Sequence, residues 1–150
     1  MKIYLGHAIS GLDYKSVEEY YTETNSYLTA LGYEVLHPMT AKGTLCTEKV
    51  FKSSGYTLPV TTDKAITRRD IWMVLRSDIT YINFEGTVEK SAGMIAELTA
   101  GYITPTVHTI ITLPKDNIHY HAFILQMADI VFDSHDETLD YLLKLIRKEL

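Results

Sequence analysis

Short apolar runs alternate along this chain with longer segments in which apolar residues recur at helical spacing. The short runs are rich in Ile, Val, Tyr and Thr and predict strands at residues 2–5, 33–36, 79–84, 107–113 and 129–132. The longer segments predict helices at residues 14–31, 65–76, 91–102, 120–127 and 136–149. Ser91 precedes the third of these helices and suits its N-cap.

Strands that are apolar on both faces and separated by helices form parallel sheets covered by helices. The pattern therefore predicts an α/β fold, a single-domain flavodoxin-like or Rossmann-like parallel five-stranded sheet with helices on both faces. Such sheets bind ligands beyond the carboxyl ends of their strands, where the strand order reverses. We expect a site between the loop after the first strand, residues 6–11, and the helix that starts at Ser91.

Residues 37–64 show neither the helical nor the strand period of apolar residues, and they contain Gly, Pro, Thr and Ser. A segment of this length in a compact domain is usually a lid, a binding loop or a disordered stretch. We expect a lid that closes over the substrate, because Tyr56, Leu58 and Val60 provide apolar side chains with which it can pack.

The chain has 150 residues, enough for one domain, residues 1–150, with a sizeable core. A net charge of −5 argues against a nucleic acid polymer or an anionic membrane as partner, but not against a small anionic ligand. The single cysteine, Cys46, excludes an internal disulfide and fits a reducing cytoplasm. The N-terminal apolar run is too short for a signal peptide, and no segment reaches transmembrane length. We expect a soluble cytoplasmic protein.

Candidate chemistry converges on the predicted site. Tyr4 lies near the end of the first strand, and Gly6 and Gly11 in the next loop permit close approach of a ligand to the backbone. Asp70 follows two arginines, where a surface ion pair is the usual role. Glu97 stands two turns into a helix among Ala, Met and Leu, which suits neither surface nor core. A lone glutamate of this kind is most often a half-exposed partner of a nearby Lys or Arg.

These residues stand in motifs that resemble the nucleoside 2-deoxyribosyltransferase family, which includes the related 2′-deoxynucleoside 5′-monophosphate N-glycosidases. The similar stretches are Ile-Tyr-Leu-Gly at 3–6, Arg-Asp followed by Ser-Asp at 69–70 and 77–78, and Ser-x-Gly-x-x-x-Glu-Leu at 91–98. With 117–123 and 128–132, the resemblance covers most of the chain and implies one domain of this family.

The resemblance implies that Glu97 is the nucleophile that attacks C1′ of the deoxyribose and forms a covalent glycosyl ester. Tyr4 would orient that carboxylate, and Asp70 would meet the base and help to protonate it. The chemistry is reasonable, because departure of a base builds positive charge at C1′ that a carboxylate stabilises and then captures. A second carboxyl group on the leaving-group side supplies the proton.

The resemblance also implies which residues meet the substrate within the subunit: Gly6, His7, Ser10, Ser91 and Gly93. Members that act on free nucleosides typically hold the sugar 5′-hydroxyl with an Asp where this chain has Ser91, and a serine there resembles the monophosphate-cleaving branch. That branch places Arg in the loop after the first strand, whereas residues 6–11 contain none. Free nucleoside and 5′-monophosphate, like transfer and hydrolysis, stay open as alternatives.

The pair His119 and His121, with His108 as a third donor, would form only a weak zinc motif. Two loop histidines are the commoner interpretation, and we expect neither a metal nor a cofactor. The resemblance offers another interpretation, in which His121 reaches the site of a neighbouring subunit. It implies a homodimer or a higher homo-oligomer.

The leading hypothesis is an enzyme that cleaves the N-glycosidic bond of 2′-deoxynucleosides and passes the deoxyribosyl group to another nucleobase. The alternative is a hydrolytic nucleoside 5′-monophosphate N-glycosidase. A second alternative is a non-catalytic nucleotide-binding module, which would have no need of Glu97, Tyr4 and Asp70 together. The expected ligands are a small nucleoside or nucleotide and a nucleobase.

Overall fold

The structure, a computed structural model, describes residues 1–150 and contains one five-stranded parallel sheet. The strand order is β2-β1-β3-β4-β5, and the strands are β1 Lys2–His7, β2 Glu34–Leu36, β3 Ile79–Asn83, β4 His108–Thr112 and β5 Ile130–Phe132. The helices are α1 Tyr14–Ala30, α2 Asp63–Val74, α3 Ala92–Tyr102, α4 Ala122–Gln126 and α5 His135–Arg147. The predicted fold class is confirmed, with boundaries that differ by a few residues.

Two hydrophobic clusters cover the two faces of the sheet, because successive strand residues point to opposite sides. Ile3 and Leu5 of β1 pack with α1 and α5 in the first cluster. Tyr4 belongs to the second cluster, which lies between the sheet and helices α2, α3 and α4. The side chain of Tyr4 therefore points to the face that α3 covers.

Helix α3 begins as the sequence predicts, because the Ser91 hydroxyl accepts a hydrogen bond from the Met94 N–H at 3.3 Å. The predicted helix at 120–127 is shorter than expected. His121 caps α4 through its Nδ1 atom, which accepts from the Phe123 N–H, so the regular helix begins only at Ala122. No helix of the structure combines the length and apolar character needed to cross a membrane.

The 37–64 segment is packed on the first cluster, but not through the residues expected. Leu58 and Val60 are 46% and 49% exposed, so the prediction that they pack is wrong, while Tyr56 is partly buried against the core. The buried residues are Leu45 and Phe51. Phe51 is anchored because its backbone exchanges two hydrogen bonds, of 2.9 and 2.8 Å, with the loop that follows β1, whereas Leu58 and Val60 lie in the turn before α2.

Candidate active site

A cavity of about 430 Å³ opens at the carboxyl edge of the sheet, beside the point between β1 and β3 where the strand order reverses. This is the place where doubly wound sheets bind ligands. Its walls come from the loop after β1, the 37–64 segment, α2, the loop that follows β3 and the start of α3. The polar side chains of the lining include Lys42, Asp70, Lys90, Ser91 and Glu97.

Glu97 lies at the bottom of the cavity and is only 8% exposed. A Cβ atom at Gly6 would stand 2.9 Å from its Oε2 atom and 2.5 Å from Cδ1 of Ile82. Only glycine therefore leaves room for the carboxylate to lie directly against β1. The hydroxyl of Tyr4, on the same face of β1, is buried and makes no hydrogen bond of standard geometry. Burial raises the pKa of Tyr4, and the nearby charge of Glu97 also raises it.

Burial, together with the nearby Asp70 carboxylate, raises the pKa of Glu97 to about 8, although Tyr4 and Lys42 act in the opposite direction. This environment contradicts the interpretation of Glu97 as a half-exposed ion-pair partner. A carboxyl group with such a pKa holds its proton over much of the neutral range. Perturbed groups of this kind are concentrated in functional sites.

Asp70 is buried as well, at 6% exposure, so the surface ion pair that its neighbours suggest is wrong. Its carboxylate lies 3.6 Å from Nε of Arg69 and 3.9 Å from Nζ of Lys42. Burial raises the pKa of Asp70, and the charges of Lys42 and Arg69 oppose that shift. The geometry thus brings two carboxylates and a lysine to one cavity.

Sequence reasoning missed Lys42, because a lysine in an aperiodic segment looks like any solvated lysine. In the structure it is 5% exposed, and it forms the wall of the cavity that faces Asp70. Burial lowers the pKa of Lys42, while the charges of Asp70 and Glu97 raise it. No spacing or period in the sequence could have indicated this position.

The loop between β3 and α3 is tied to residues 117–119 by a buried histidine. Nε2 of His119 accepts a hydrogen bond of 2.9 Å from the Ser91 N–H. Its Nδ1 atom must then carry the proton, and it lies 3.1 Å from Oδ1 of Asn117 and 3.3 Å from the Thr87 hydroxyl. Burial lowers the pKa of His119, which favours this neutral form. His119 rather than His121 therefore holds the start of α3 within the subunit.

The two histidines do not form a metal site. No group of three or more His, Cys, Asp or Glu side chains in the structure could hold an ion. His121 is exposed at the start of α4, and His108 pairs with Asp129 at 3.1 Å at the opposite end of β4. His121 does not line the cavity of its own subunit.

The other predicted substrate contacts lie around the cavity. His7, Ser10, Ser91 and Gly93 are part of its lining, and Gly6 supports Glu97 from below. The ring of His7 packs on Tyr20 with centroids 4.1 Å apart, and its Nδ1 atom donates to the Asn83 carbonyl at 2.9 Å. These two contacts hold the His7 ring on the side of the sheet that α1 covers.

Solved structures with this fold include a 2-deoxyribosyltransferase from Bacillus psychrosaccharolyticus, at 17% identity and a TM-score of 0.65, covering 94% of this chain and 92% of that one. A CMP N-glycosidase of Clostridium botulinum matches at 16% identity and a TM-score of 0.57, covering 95% and 98%. A 2-deoxyribosyltransferase of Leishmania mexicana matches at 19% identity and a TM-score of 0.56, covering 95% and 97%. The shared feature is the fold. No family model and no curated protein matches the sequence.

We expect the buried charge of Glu97 to reduce stability at alkaline pH. Because the pKa of Glu97 in the folded state, about 8, exceeds the ordinary value of 4.5, the folded protein holds an extra proton between these values and loses stability as pH rises through them. Glu97→Gln removes that loss, so its Tm advantage over the wild type should grow between about pH 5 and pH 9. Scanning calorimetry at both pH values measures it. Glu89→Gln, at the exposed rim, is the control, and an equal advantage for Glu97→Gln at both pH values would contradict the prediction.

We also expect His119→Ala to loosen the start of α3, because the Ser91 N–H loses its acceptor and a lost buried hydrogen bond costs about 1–3 kcal/mol. Amide hydrogen exchange over residues 86–94 should accelerate by about tenfold or more. His119→Gln, whose side-chain oxygen can accept the same N–H, is the matched control and should keep most of the protection. Equal protection in His119→Ala and the wild type would show that this contact does not hold the loop.

Proposed function

We propose that this protein cleaves the N-glycosidic bond of 2′-deoxynucleosides through a covalent deoxyribosyl ester of Glu97 and transfers the sugar to another nucleobase. The observation that carries the proposal is the burial of Glu97 at the bottom of a polar cavity, against Gly6 and close to Tyr4 and Asp70. Proteins that share the fold at near-full coverage include 2-deoxyribosyltransferases and a CMP N-glycosidase, which supports this class of reaction.

In the first half-reaction the ionised form of Glu97 reacts: a carboxylate oxygen bonds to C1′ while the C1′–N bond breaks, and the electron pair of that bond remains on the base nitrogen. Asp70 meets the base and supplies the proton that the nitrogen needs. In the second half-reaction a nitrogen of an incoming base attacks C1′, returns its proton to Asp70, and releases Glu97 as a carboxylate. Tyr4 orients the nucleophile through its hydroxyl.

A hydrolytic N-glycosidase that acts on nucleoside 5′-monophosphates is the second candidate. The observation that favours it is the rim of the cavity, where Lys90 and the Ser91 hydroxyl stand together at the start of α3. A cation, a hydroxyl group and a helix N-terminus favour binding of a phosphate, whereas an Asp in place of Ser91 would repel it. In that case water replaces the second base.

One experiment distinguishes the alternatives. Wild-type protein is incubated with a 2′-deoxynucleoside or its 5′-monophosphate and an isotopically labelled free base. We expect labelled deoxynucleoside to form, and an intact-mass increase of one deoxyribosyl group when no base is added. Release of free sugar or sugar phosphate would support the hydrolytic candidate, and binding without turnover would support a non-catalytic module.

Glu97→Ala is expected to abolish both the adduct and base exchange, because it removes the carboxylate that forms the ester in the proposed mechanism. Its fold should persist, as measured by circular dichroism and Tm, because a small residue relieves the burial of a charge. Turnover comparable to that of the wild type would rule out the covalent mechanism.

We further propose that the active unit is a homo-oligomer in which residues 119–123 complete a neighbour's site. Exposed apolar side chains support this proposal: Phe123, two residues after His121, is 74% exposed, and Val88, on the rim of the cavity, is 79% exposed. A second subunit would cover them and exclude water from the reactive sugar.

Mixing inactive Glu97→Ala protein with His121→Ala protein tests this arrangement, provided that His121→Ala alone is inactive. Shared sites would regenerate one intact site in each mixed dimer, so activity should return on mixing. A monomer in sedimentation at working concentration, or no recovery on mixing, would contradict the proposal.

A further inference from the structure

Lys42 is a buried ammonium group with no hydrogen bond. Its side chain is 7% exposed, and its nearest anion, Oδ2 of Asp70, lies 3.9 Å from Nζ, beyond hydrogen-bonding distance. A buried charge is costly unless it is paired and its donors are used. All three N–H donors of Lys42 are therefore available to an acceptor that enters the cavity it lines.

The backbone before Lys42 is held in an uncommon conformation. Ala41 has a φ of 62°, in the left-handed region that residues with a side chain rarely adopt. The Lys42 N–H donates to the Met39 carbonyl at 3.0 Å, and the Lys42 carbonyl accepts from the Leu45 N–H at 2.8 Å. This turn directs the lysine inward, and strained conformations of this kind persist mainly where the surrounding structure requires them.

The partner of Lys42 in the cavity wall has an unused acceptor. Oδ1 of Asp70 is buried without a hydrogen bond, because Nε of Arg69 lies 3.6 Å away. An unused donor and an unused carboxyl oxygen thus stand side by side on the 37–64 segment and α2. A nucleobase that presents two neighbouring acceptor atoms matches this pair when the carboxyl group of Asp70 carries a proton.

We propose that Lys42 is a catalytic residue that donates a hydrogen bond to the departing base and stabilises its developing negative charge. The proposal rests on the proposed cleavage of an N-glycosidic bond. It assigns the base to the wall formed by Lys42 and Asp70, and the sugar to the space between that wall and Glu97.

The C1′–N bond breaks, its electron pair moves onto the base, and Glu97 bonds to C1′. The ammonium of Lys42 keeps its proton and stabilises the charge on an acceptor atom of the base, while the ring nitrogen takes the proton of Asp70. A preorganised cation at a developing anion in a cavity poor in water is an effective form of transition-state stabilisation.

This role makes the effect of Lys42 depend on the leaving group. A base that is a weak acid carries poorly stabilised negative charge as it departs, so its rate depends strongly on the ammonium group of Lys42. A more acidic base stabilises that charge itself and departs readily without Lys42. A structural role in packing the 37–64 segment would lower the rates of all substrates by the same factor. The dependence on leaving-group acidity therefore separates the two roles.

The test compares single-turnover formation of the Glu97 adduct by wild type and Lys42→Met on pyrimidine and purine 2′-deoxynucleosides, including 5-fluoro-2′-deoxyuridine and 2′-deoxyuridine. We expect Lys42→Met to lose about 10²–10³-fold with the least acidic bases and less than about tenfold with the most acidic. Lys49→Met, an exposed lysine of the same segment outside the cavity, should match the wild type.

An equal loss across the series, or no loss, would overturn the role of Lys42 while leaving the proposed function intact. A wild type that forms no adduct with any substrate would overturn the proposed function and this inference with it. If Lys42→Met does not fold, Lys42→Gln, which keeps a donor without a charge, is measured on the same series and should show the same dependence with smaller losses.

Discussion

The close approach of Glu97 to the backbone of β1 is the constraint on which the rest of the site depends. A carboxylate can lie there only because Gly6 has no side chain, since a Cβ atom would stand 2.9 Å from Oε2. The approach removes the carboxylate from water and raises its pKa to about 8. This contact between α3 and β1 sets where Glu97 stands relative to the groups that face it.

The end of β1 and the start of α3 are each held in place by a side chain that lies outside the cavity. On the α1 side of the sheet, the hydroxyl of Tyr21 accepts from the His7 N–H at 2.8 Å and donates to the His7 carbonyl at 3.0 Å, which fixes the end of β1. At the start of α3, His119 accepts from the Ser91 N–H. Neither Tyr21 nor His119 acts on a substrate in this arrangement. They limit the movement of the loops on either side of Glu97, the proposed nucleophile.

Much of this architecture could be predicted from the sequence, because it depends on local periodicity. Alternating strands and helices indicate the sheet and its ligand-binding edge, and Ser91 indicates where α3 begins. The burial of Asp70 could not be predicted, since Arg69 beside it suggests a surface pair, and only the tertiary packing of α2 against α3 removes it from water. Lys42 could not be predicted either, because its role depends on an aperiodic segment whose path is set by long-range contacts of Phe51.

The charges in the cavity suit the transient cation of the proposed reaction better than they suit the empty protein. Burial and repulsion from Asp70 make ionised Glu97 unfavourable in the free cavity, and Lys42 compensates only in part. Positive charge at C1′ would reverse this balance, because the anion would then face an opposite charge at short range in a medium of low polarity. Ionising Glu97 thus costs the most free energy before the reaction begins. The positive charge that develops as the C1′–N bond breaks offsets that cost. Interactions that strengthen only in the transition state are the ones that accelerate a reaction.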